Sequence, residues 1–462
     1  MIASCGGPQP PSVVLVYMDD LGWRDLGVMG SQYYETPHID ALAAEGMLFT
    51  NAYANAPNCA PSRASLLTGL YTPRHEIYTV NSAARGDARY RRLIPVANRV
   101  TLDTAFTTMA ERLRSLGYAT GHVGKWHLGG EGSLPSDHGF DWAVAGDSRG
   151  SPAGYFFPYR SDGHEIPDIG SSGTAGEYLT DRLTEEAVQF IRDNAGRPFF
   201  LYLSHYAVHT PHRAKPDLVQ RYRAKNGDGG QSDPTYAAMI HSVDESVGRI
   251  VGILEELGLA DRTVVVFTSD NGGYGPVTSM APLRGSKGML YEGGIRVPLV
   301  VRWPGVISPG SRSEYPVLAT DLLPTVLDMA GLSPSNFIET DGLSLIPVLL
   351  QQDTLPTRPL YWHFPAYLEA YHGMVGPWRI TPASAVRLGN YKLIMFFEDA
   401  RVELYDLDRD IGERQDLSST VPRKRAELEG LLRHWWGEVG AWIPSEPNPT
   451  FDPTTVSSDQ RP

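Results

Sequence analysis

Residues 13–17 read Val-Val-Leu-Val-Tyr, an unbroken apolar run rich in β-branched side chains. Such a run, with no polar alternation, predicts a strand buried on both faces, as in a sheet covered by helices. Residues 199–203, 264–267 and 299–301 have the same texture. Between these runs the period changes. Phe106, Met109, Leu113 and Leu116 recur at helical spacing, with Gly117 as a stop signal. Ile240, Val243, Val247, Ile250, Val251 and Leu254 form a second helical stripe. Alternating strands and helices predict an α/β fold, a sheet sandwiched between helices.

The pattern shifts after Gly331. Residues 385–388, 391–396 and 402–405 are strand-like pieces separated by turns, with Asn390 in the first turn. They predict a small antiparallel sheet. An amphipathic helix is expected from about Pro422 to Trp436, and the Gly-rich stretches 170–176 and 227–230 read as surface loops. The expected organisation is therefore a flexible start over residues 1–12, a larger catalytic domain over 13–331 and a smaller α+β subdomain over 332–443. A poorly ordered tail rich in Pro, Ser, Thr and Asp would follow over 444–462. A length of 462 residues agrees with two unequal lobes.

Charge narrows the function. The net charge of −13 argues against a nucleic-acid partner, which needs a basic face. It leaves room for an anionic substrate, because a local cluster of cations outweighs a distant field. No stretch is apolar for long enough to span a bilayer. Two cysteines, Cys5 and Cys59, give no disulfide framework. Ile2-Ala3-Ser4-Cys5-Gly6-Gly7 looks like the end of a bacterial lipoprotein signal, without the charged and apolar parts that should precede it. The expected location is periplasmic or extracellular, with Cys5 as a lipid-anchor candidate.

The chemistry gathers at strand ends. Asp19-Asp20 follows the first strand, Asp270-Asn271 follows the strand ending at Phe267, and His209 comes six residues after Leu203. In α/β sheets, sites form beyond the carboxyl ends of strands. Adjacent carboxylates there repel each other unless a cation or a proton intervenes. Four hard oxygen donors favour Ca²⁺ or Mg²⁺ over Zn²⁺; helix capping by Asp20 or Asn271 is the plainer alternative. In Cys59-Ala60-Pro61-Ser62-Arg63, Pro61 suits a first helical turn and Gly69 its end. Cys59 would then sit at the positive end of a helix, with Arg63 one turn on.

At this point the chain resembles the type I sulfatases, the formylglycine-dependent branch of the alkaline phosphatase superfamily. Cys59-Ala60-Pro61-Ser62-Arg63, followed by Leu67-Thr68-Gly69, is similar to the family's signature. Val16–Gly22, Gly124-Lys125-Trp126-His127-Leu128-Gly129, His209-Thr210-Pro211-His212, Ser269-Asp270-Asn271-Gly272 and the Gly285–Pro298 segment with Lys287 resemble its other motifs in the family's order. Leu70 departs from the pattern, where Arg is common, but lies beyond the nucleophile part. The resemblance implies an alkaline-phosphatase-like mixed sheet and hydrolysis of sulfate monoesters, in the manner of bacterial carbohydrate sulfatases. It implies that a maturation enzyme converts Cys59 to formylglycine, and that Ca²⁺, more than Mg²⁺, is held by Asp19, Asp20, residue 59, Asp270 and Asn271. Arg63 would hold the aldehyde hydrate, Lys125 and Lys287 the sulfate oxygens. His209 would protonate the leaving oxygen, and His127 would take the second hydroxyl's proton so that sulfate is expelled.

His212, Arg213, His363, Trp378 and Arg379 are the further candidates for substrate contact, with Asn58, Tyr367 and His372 beside them, because aromatic and basic groups suit sulfated sugars. Packing of the seam between lobes is their alternative role. Arg85 belongs to a charged stretch that reads as a solvated loop or a pocket rim. Two rival functions remain at this level: a phosphonate or phosphodiester hydrolase with the same nucleophile, and an inactive module that captures sulfated glycans.

Overall fold

A computed structural model describes residues 10–161, 163–332, 339–352 and 355–455. The lipoprotein-like Cys5 lies outside the described residues, as do residues 456–462 of the expected tail. Nine strands form the main sheet: β1 (Ser12–Met18), β2 (Met47–Tyr53), β3 (Ala119–Gly124), β4 (Trp142–Val144), β5 (Phe199–Ser204), β6 (Thr263–Ser269), β7 (Arg296–Arg302), β8 (Ser311–Ser313) and β9 (Val317–Leu318). Their order is β8-β2-β7-β6-β1-β5-β3-β4, with β9 also on β2. β7 is antiparallel to both neighbours and the other pairs are parallel, so the sheet is mixed. The four continuous apolar runs are β1, β5, β6 and β7.

Strand β1 shows why its run has no polar alternation. Successive side chains point to opposite faces. Val14, Val16 and Met18 join one apolar layer, with helices α1 (Pro37–Glu45), α4 (Leu179–Asp193) and α5 (Pro234–Glu256). Val13, Leu15 and Tyr17 join the other, with α2 (Cys59–Thr68), α3 (Met109–Ser115) and α6 (Leu322–Met329). Both faces are covered, so both registers are apolar. Helix α3 starts in a capping box: Thr108 Oγ1 accepts from the Glu111 amide at 3.2 Å, and the Glu111 carboxylate accepts from the Thr108 amide at 2.7 Å. The second layer still includes Leu345 and Leu349, beyond the boundary expected at Gly331.

The second lobe holds four antiparallel strands, β10 (Leu360–Phe364), β11 (Ala383–Leu388), β12 (Tyr391–Phe396) and β13 (Val402–Asp406), in that order, backed by α7 (Pro422–Val439). The α/β architecture with a C-terminal antiparallel sheet is therefore as the periodicity predicts. The sequence pattern misses β10 and a short ribbon that pairs Leu368–Glu369 with Trp378–Ile380. Residues 444–455 of the expected tail make contacts with the 88–93 loop. Leu93 bridges to Pro447, the Asn448 amide donates to Arg92 O at 2.9 Å, and Arg92 sits over the Phe451 ring. Polar composition alone does not reveal these backbone partners.

A buried ion cluster ties the lobes together. Glu292, Lys392 and Glu413 are fully buried. Lys392 Nζ, from β12, lies 3.0 Å from Glu292 Oε1 and 2.8 Å from Glu413 Oε1. Glu292 Oε2 accepts from Tyr53 Oη at 2.7 Å and from Arg296 Nη1 at 3.2 Å, and Glu413 Oε2 accepts from the Glu292 amide at 2.7 Å.

Candidate active site

Four strand ends and one helix start converge at one edge of the main sheet. Asp19 and Asp20 leave β1, Lys125 and His127 leave β3, His209 follows β5, Asp270 and Asn271 leave β6, and Cys59 opens α2. Local backbone makes this possible. Gly124, with φ +103°, ends β3 where a β-carbon would lie 2.0 Å from Ser204 O, so only glycine lets the chain turn there and aim Lys125 inward. Asp20 and His127 adopt left-handed backbone at φ 64° and 60°. Strained conformations of this kind concentrate at functional sites.

The side chains form one buried network. Lys125 Nζ donates to Asp19 Oδ2 at 2.6 Å, and Lys287 Nζ donates to Asp20 Oδ2 at 2.7 Å. Arg63 Nε and Nη2 donate to Asp270 Oδ2 at 3.1 and 2.8 Å. Asp270 Oδ1 accepts from the Asp20 amide, and Asn271 Nδ2 donates to Asp20 Oδ1 at 2.9 Å. His209 Nε2 stands 3.7 Å from Asp20 Oδ2. Two buried oxygens, Asp19 Oδ1 and Asn271 Oδ1, accept no hydrogen bond. An orphaned buried carboxylate oxygen is costly, so its retention calls for an explanation. Ligand atoms of Asp19, Cys59 and Asp270 lie within 4.8 Å of one another, as do those of Asp19, Asp20 and His209. This hard-oxygen set, with two oxygens unpartnered, fits a divalent cation.

The protonation tendencies agree with a crowded, dry site. Burial pushes Asp19 well above the usual carboxyl range, against the pull of Lys125. At Asp20 the balance reverses: burial is outweighed by Lys287, His209 and Lys125, which hold the carboxyl down. Burial pushes His127 well below its ordinary value, and Lys125 and Arg63 push the same way. His209 is depressed too, by burial first and then by Lys287. Burial pushes the Cys59 thiol up, with Lys125 and Lys287 opposing.

Cys59, His127, His209 and Lys287 line the floor of an open cleft of about 590 Å³. Arg63, Lys125 and the acidic residues lie beneath it, fully buried. Arg379 and Asn58 also line the cleft, as does Arg85, which forms an ion pair with Glu369 at 2.9 Å. The other substrate candidates stand elsewhere. His363 is buried inside the second lobe, its ring nitrogens bonded to Ser384 Oγ at 2.7 Å and Trp442 O at 3.0 Å. Trp378 packs on Tyr367, whose hydroxyl donates to Glu398. His212 sits between the Tyr236 and Tyr274 rings, and Arg213 and His372 are exposed outside the cleft wall. Their residue types suit sugars, but packing satisfies or diverts them. The sequence pattern missed Ser148, Arg149, Gly150, Tyr274 and Tyr371 of the wall. Only the glycines near residue 150 hint at that loop: a β-carbon on Gly150 would meet the His127 ring at 2.3 Å.

Comparison with known proteins agrees with this geometry. The family model described as "Sulfatase" matches residues 11–332, and one described as "N-sulphoglucosamine sulphohydrolase, C-terminal" matches residues 286–432. A sulfatase of Formosa agariphila is 32% identical over 92% of this chain and 89% of its own. Human N-acetylgalactosamine-6-sulfatase is 36% identical over 78% of this chain and 70% of its own. The crystal structure of Ps i-CgsB in complex with k-i-k-neocarrahexaose superposes with a TM-score of 0.74 at 29% identity, over 95% of each chain. With strand-end carboxylates and Lys125 gathered beneath a cleft that Cys59 of α2 and Lys287 line, and a family model over most of its length, this chain belongs to the sulfatase family and is a sulfuric ester hydrolase.

Proposed function

We propose that the chain hydrolyses a sulfate monoester of a carbohydrate, that Cys59 is its nucleophile position after conversion to formylglycine, and that the ion at the acidic cluster is Ca²⁺. The observation that carries this reading is the pair of oxygens without a hydrogen bond, Asp19 Oδ1 and Asn271 Oδ1, in the acidic cluster whose Asp19 and Asp270 approach Cys59 beneath the cleft floor. Asp19, Asp20, Asp270 and Asn271 would hold the ion, which when bound supplies Lewis-acid polarisation of a sulfate oxygen and lowers the pKa of a neighbouring hydroxyl.

The chain's own groups do the rest. Lys125 and Lys287, bound to Asp19 and Asp20, would act as compact positive charges toward sulfate oxygens. Arg63, tied to Asp270 and to Lys125 O, fixes the helix start that carries residue 59. A neutral His127 suits acceptance of a proton from a hydroxyl on residue 59. His209 has its Nδ1 engaged by Thr210 O at 2.7 Å, which leaves Nε2 for the leaving oxygen. The negative charge of a bound sulfate opposes the depression of His209 and favours its protonated, acid form. A periplasmic or extracellular location, encounter with a maturation enzyme and lipidation of Cys5 belong to the same reading.

Peptide mass spectrometry across residue 59, on protein produced with a maturation enzyme, tests it. Thiol-to-aldehyde oxidation removes about 18 Da. The aldehyde, with sulfate release that tracks its fraction, is the expected result. A thiol at residue 59 under a maturation enzyme active on another sulfatase would overturn the nucleophile assignment and favour a glycan-binding role. Faster turnover of a phosphodiester than of a sulfate ester would favour the phosphodiesterase alternative.

A further inference from the structure

The cleft departs from the rest of the molecule in charge. The chain carries 53 acidic against 40 basic residues, yet among the described residues the cleft wall includes no Asp or Glu. It does include Lys287, Arg85, Arg149 and Arg379. Lys287 is committed to Asp20 and Arg85 to Glu369. Arg149 and Arg379 have no carboxylate partner among the described residues.

Neither guanidinium is placed at random. Arg149 is exposed, on a loop packed against the reactive end: the His127 amide donates to Asp147 O at 2.9 Å, and Gly150 fits under the His127 ring. The Asp147 carboxylate is taken by the Arg149 amide at 2.8 Å and by His164 Nε2 at 3.0 Å, not by the Arg149 guanidinium. Arg379 comes from the opposite lobe, on the short ribbon. Its Nε donates to Glu369 O and its Nη1 to Lys287 O, both at 3.2 Å, and it lies 3.8 Å over the Tyr371 ring. Carbonyls and a ring hold this guanidinium still without neutralising it. Held planar and charged, it is prepared for bidentate recognition of an anion.

One sulfate needs only the cations at the floor. We propose that Arg149 and Arg379 form a second anion subsite in the cleft, which takes a carboxylate or a further sulfate on the carbohydrate that is released. This rests on the reading of Cys59 as the sulfate end of the cleft. The natural substrate is then a polyanionic glycan, and the sulfate ester of a neutral or apolar alcohol is a poorer substrate for this enzyme. The remaining wall is mixed: Tyr274 and Tyr371, which meet edge to face at 5.0 Å, line it together with the aliphatic Val80 and Leu368.

Titration calorimetry on full-length protein with Cys59 unconverted, in the presence of Ca²⁺, tests the subsite without requiring turnover. The probes are N-acetylgalactosamine 6-sulfate, its 4,6-disulfate, and the 6-sulfate linked to glucuronic acid. At least one of the two doubly anionic probes is expected to bind ~10-fold or more tighter than the monosulfate, as bidentate charged pairs do, and which one does so identifies the second anion as sulfate or carboxylate. The advantage should shrink severalfold in Arg149→Gln and disappear in Arg149→Gln/Arg379→Gln. Equal binding of all three probes, no binding of any, or an advantage that survives both substitutions would overturn the subsite. Arg149 lies on an exposed loop, so its single variant stays informative if the double variant misfolds. Hydrolysis of the monosulfate by converted enzyme is a separate readout: its absence counts against the proposed chemistry and leaves the binding ratio to judge the subsite.

Discussion

Two buried clusters of opposite charges, both among the described residues, differ in one respect. Between the lobes, Glu292 and Glu413 close on Lys392, Arg296 and Tyr53; Glu413 Oε1 accepts no hydrogen bond but lies 2.8 Å from the Lys392 ammonium. At the sheet edge, Asp19, Asp20 and Asp270 meet Arg63, Lys125 and Lys287, yet Asp19 Oδ1 and Asn271 Oδ1 accept no hydrogen bond, and Arg63 Nη2 stands 3.9 Å from Asp19 Oδ1. Charge balance alone therefore does not mark a functional cluster, since both have it. Distance to a cation does: the cluster that holds the lobes keeps its unbonded oxygen against an ammonium, whereas the sheet-edge cluster leaves its unbonded oxygens free to face an ion.

The largest expected effect breaks the active cluster. Cys59→Ala should lower sulfate-ester turnover by about 10⁴-fold or more, as loss of a nucleophile does, while the unfolding transition stays near that of the parent. Chelation comes next. Removing divalent ions should cost about 10²-fold or more in rate, with recovery on added Ca²⁺ exceeding recovery on Mg²⁺; full activity after exhaustive chelation would sink the metal assignment. Lys392→Met should do the converse. It leaves two carboxylates buried without their ammonium and should cost about 3–5 kcal/mol in denaturant unfolding, and turnover below the transition should change far less than in Cys59→Ala.

Glu413 sharpens the same contrast through pH. Burial first, then Glu292, pushes its carboxyl from the ordinary 4.5 up to about 7, against the pull of Lys392. A carboxyl raised on folding binds its proton more tightly in the folded state, so its contribution is present below pH 4.5 and is lost as pH rises to about 7. Stability against pH should therefore slope downward in that window, and the slope should flatten in Glu413→Gln. The smallest effect concerns His363. His363→Gln should cost about 1–2 kcal/mol through its bonds to Ser384 and Trp442, with kcat/KM unaltered; a fall in kcat/KM would return this residue to the site.

Much of the sheet was legible because burial on both faces leaves a plain signature. β1, β5, β6 and β7 are continuous apolar runs; Asp19, His209 and Asp270 follow three of them and Cys59 opens a helix, whereas Lys125 follows β3, whose Ala-Thr-Gly-His-Val-Gly shows no such run, and Lys287 lies in a loop. The short ribbon from 368 to 380 was not legible. It is two and three residues wide in its strands, too short for any period to show. Arg149 was missed for a similar reason: it lies in a loop whose only signal is nearby glycine. His363 and Trp378 show the opposite error. Their residue types suit a sugar, but their partners are Ser384, Trp442 and Tyr367, and a list of residue types carries no information about partners.

By itself the sequence determined the layered α/β fold and the chemical inventory at the strand ends, because strand period, helix period and donor hardness are local properties. Tertiary structure alone decided which of those groups meet. It placed Arg379 beside Lys287 across a seam between lobes, left Asp19 Oδ1 and Asn271 Oδ1 without a hydrogen bond, and, among the described residues, kept carboxylates off the cleft wall. These are facts about distance between residues far apart in the chain, and long-range packing, not any local preference, sets such distances.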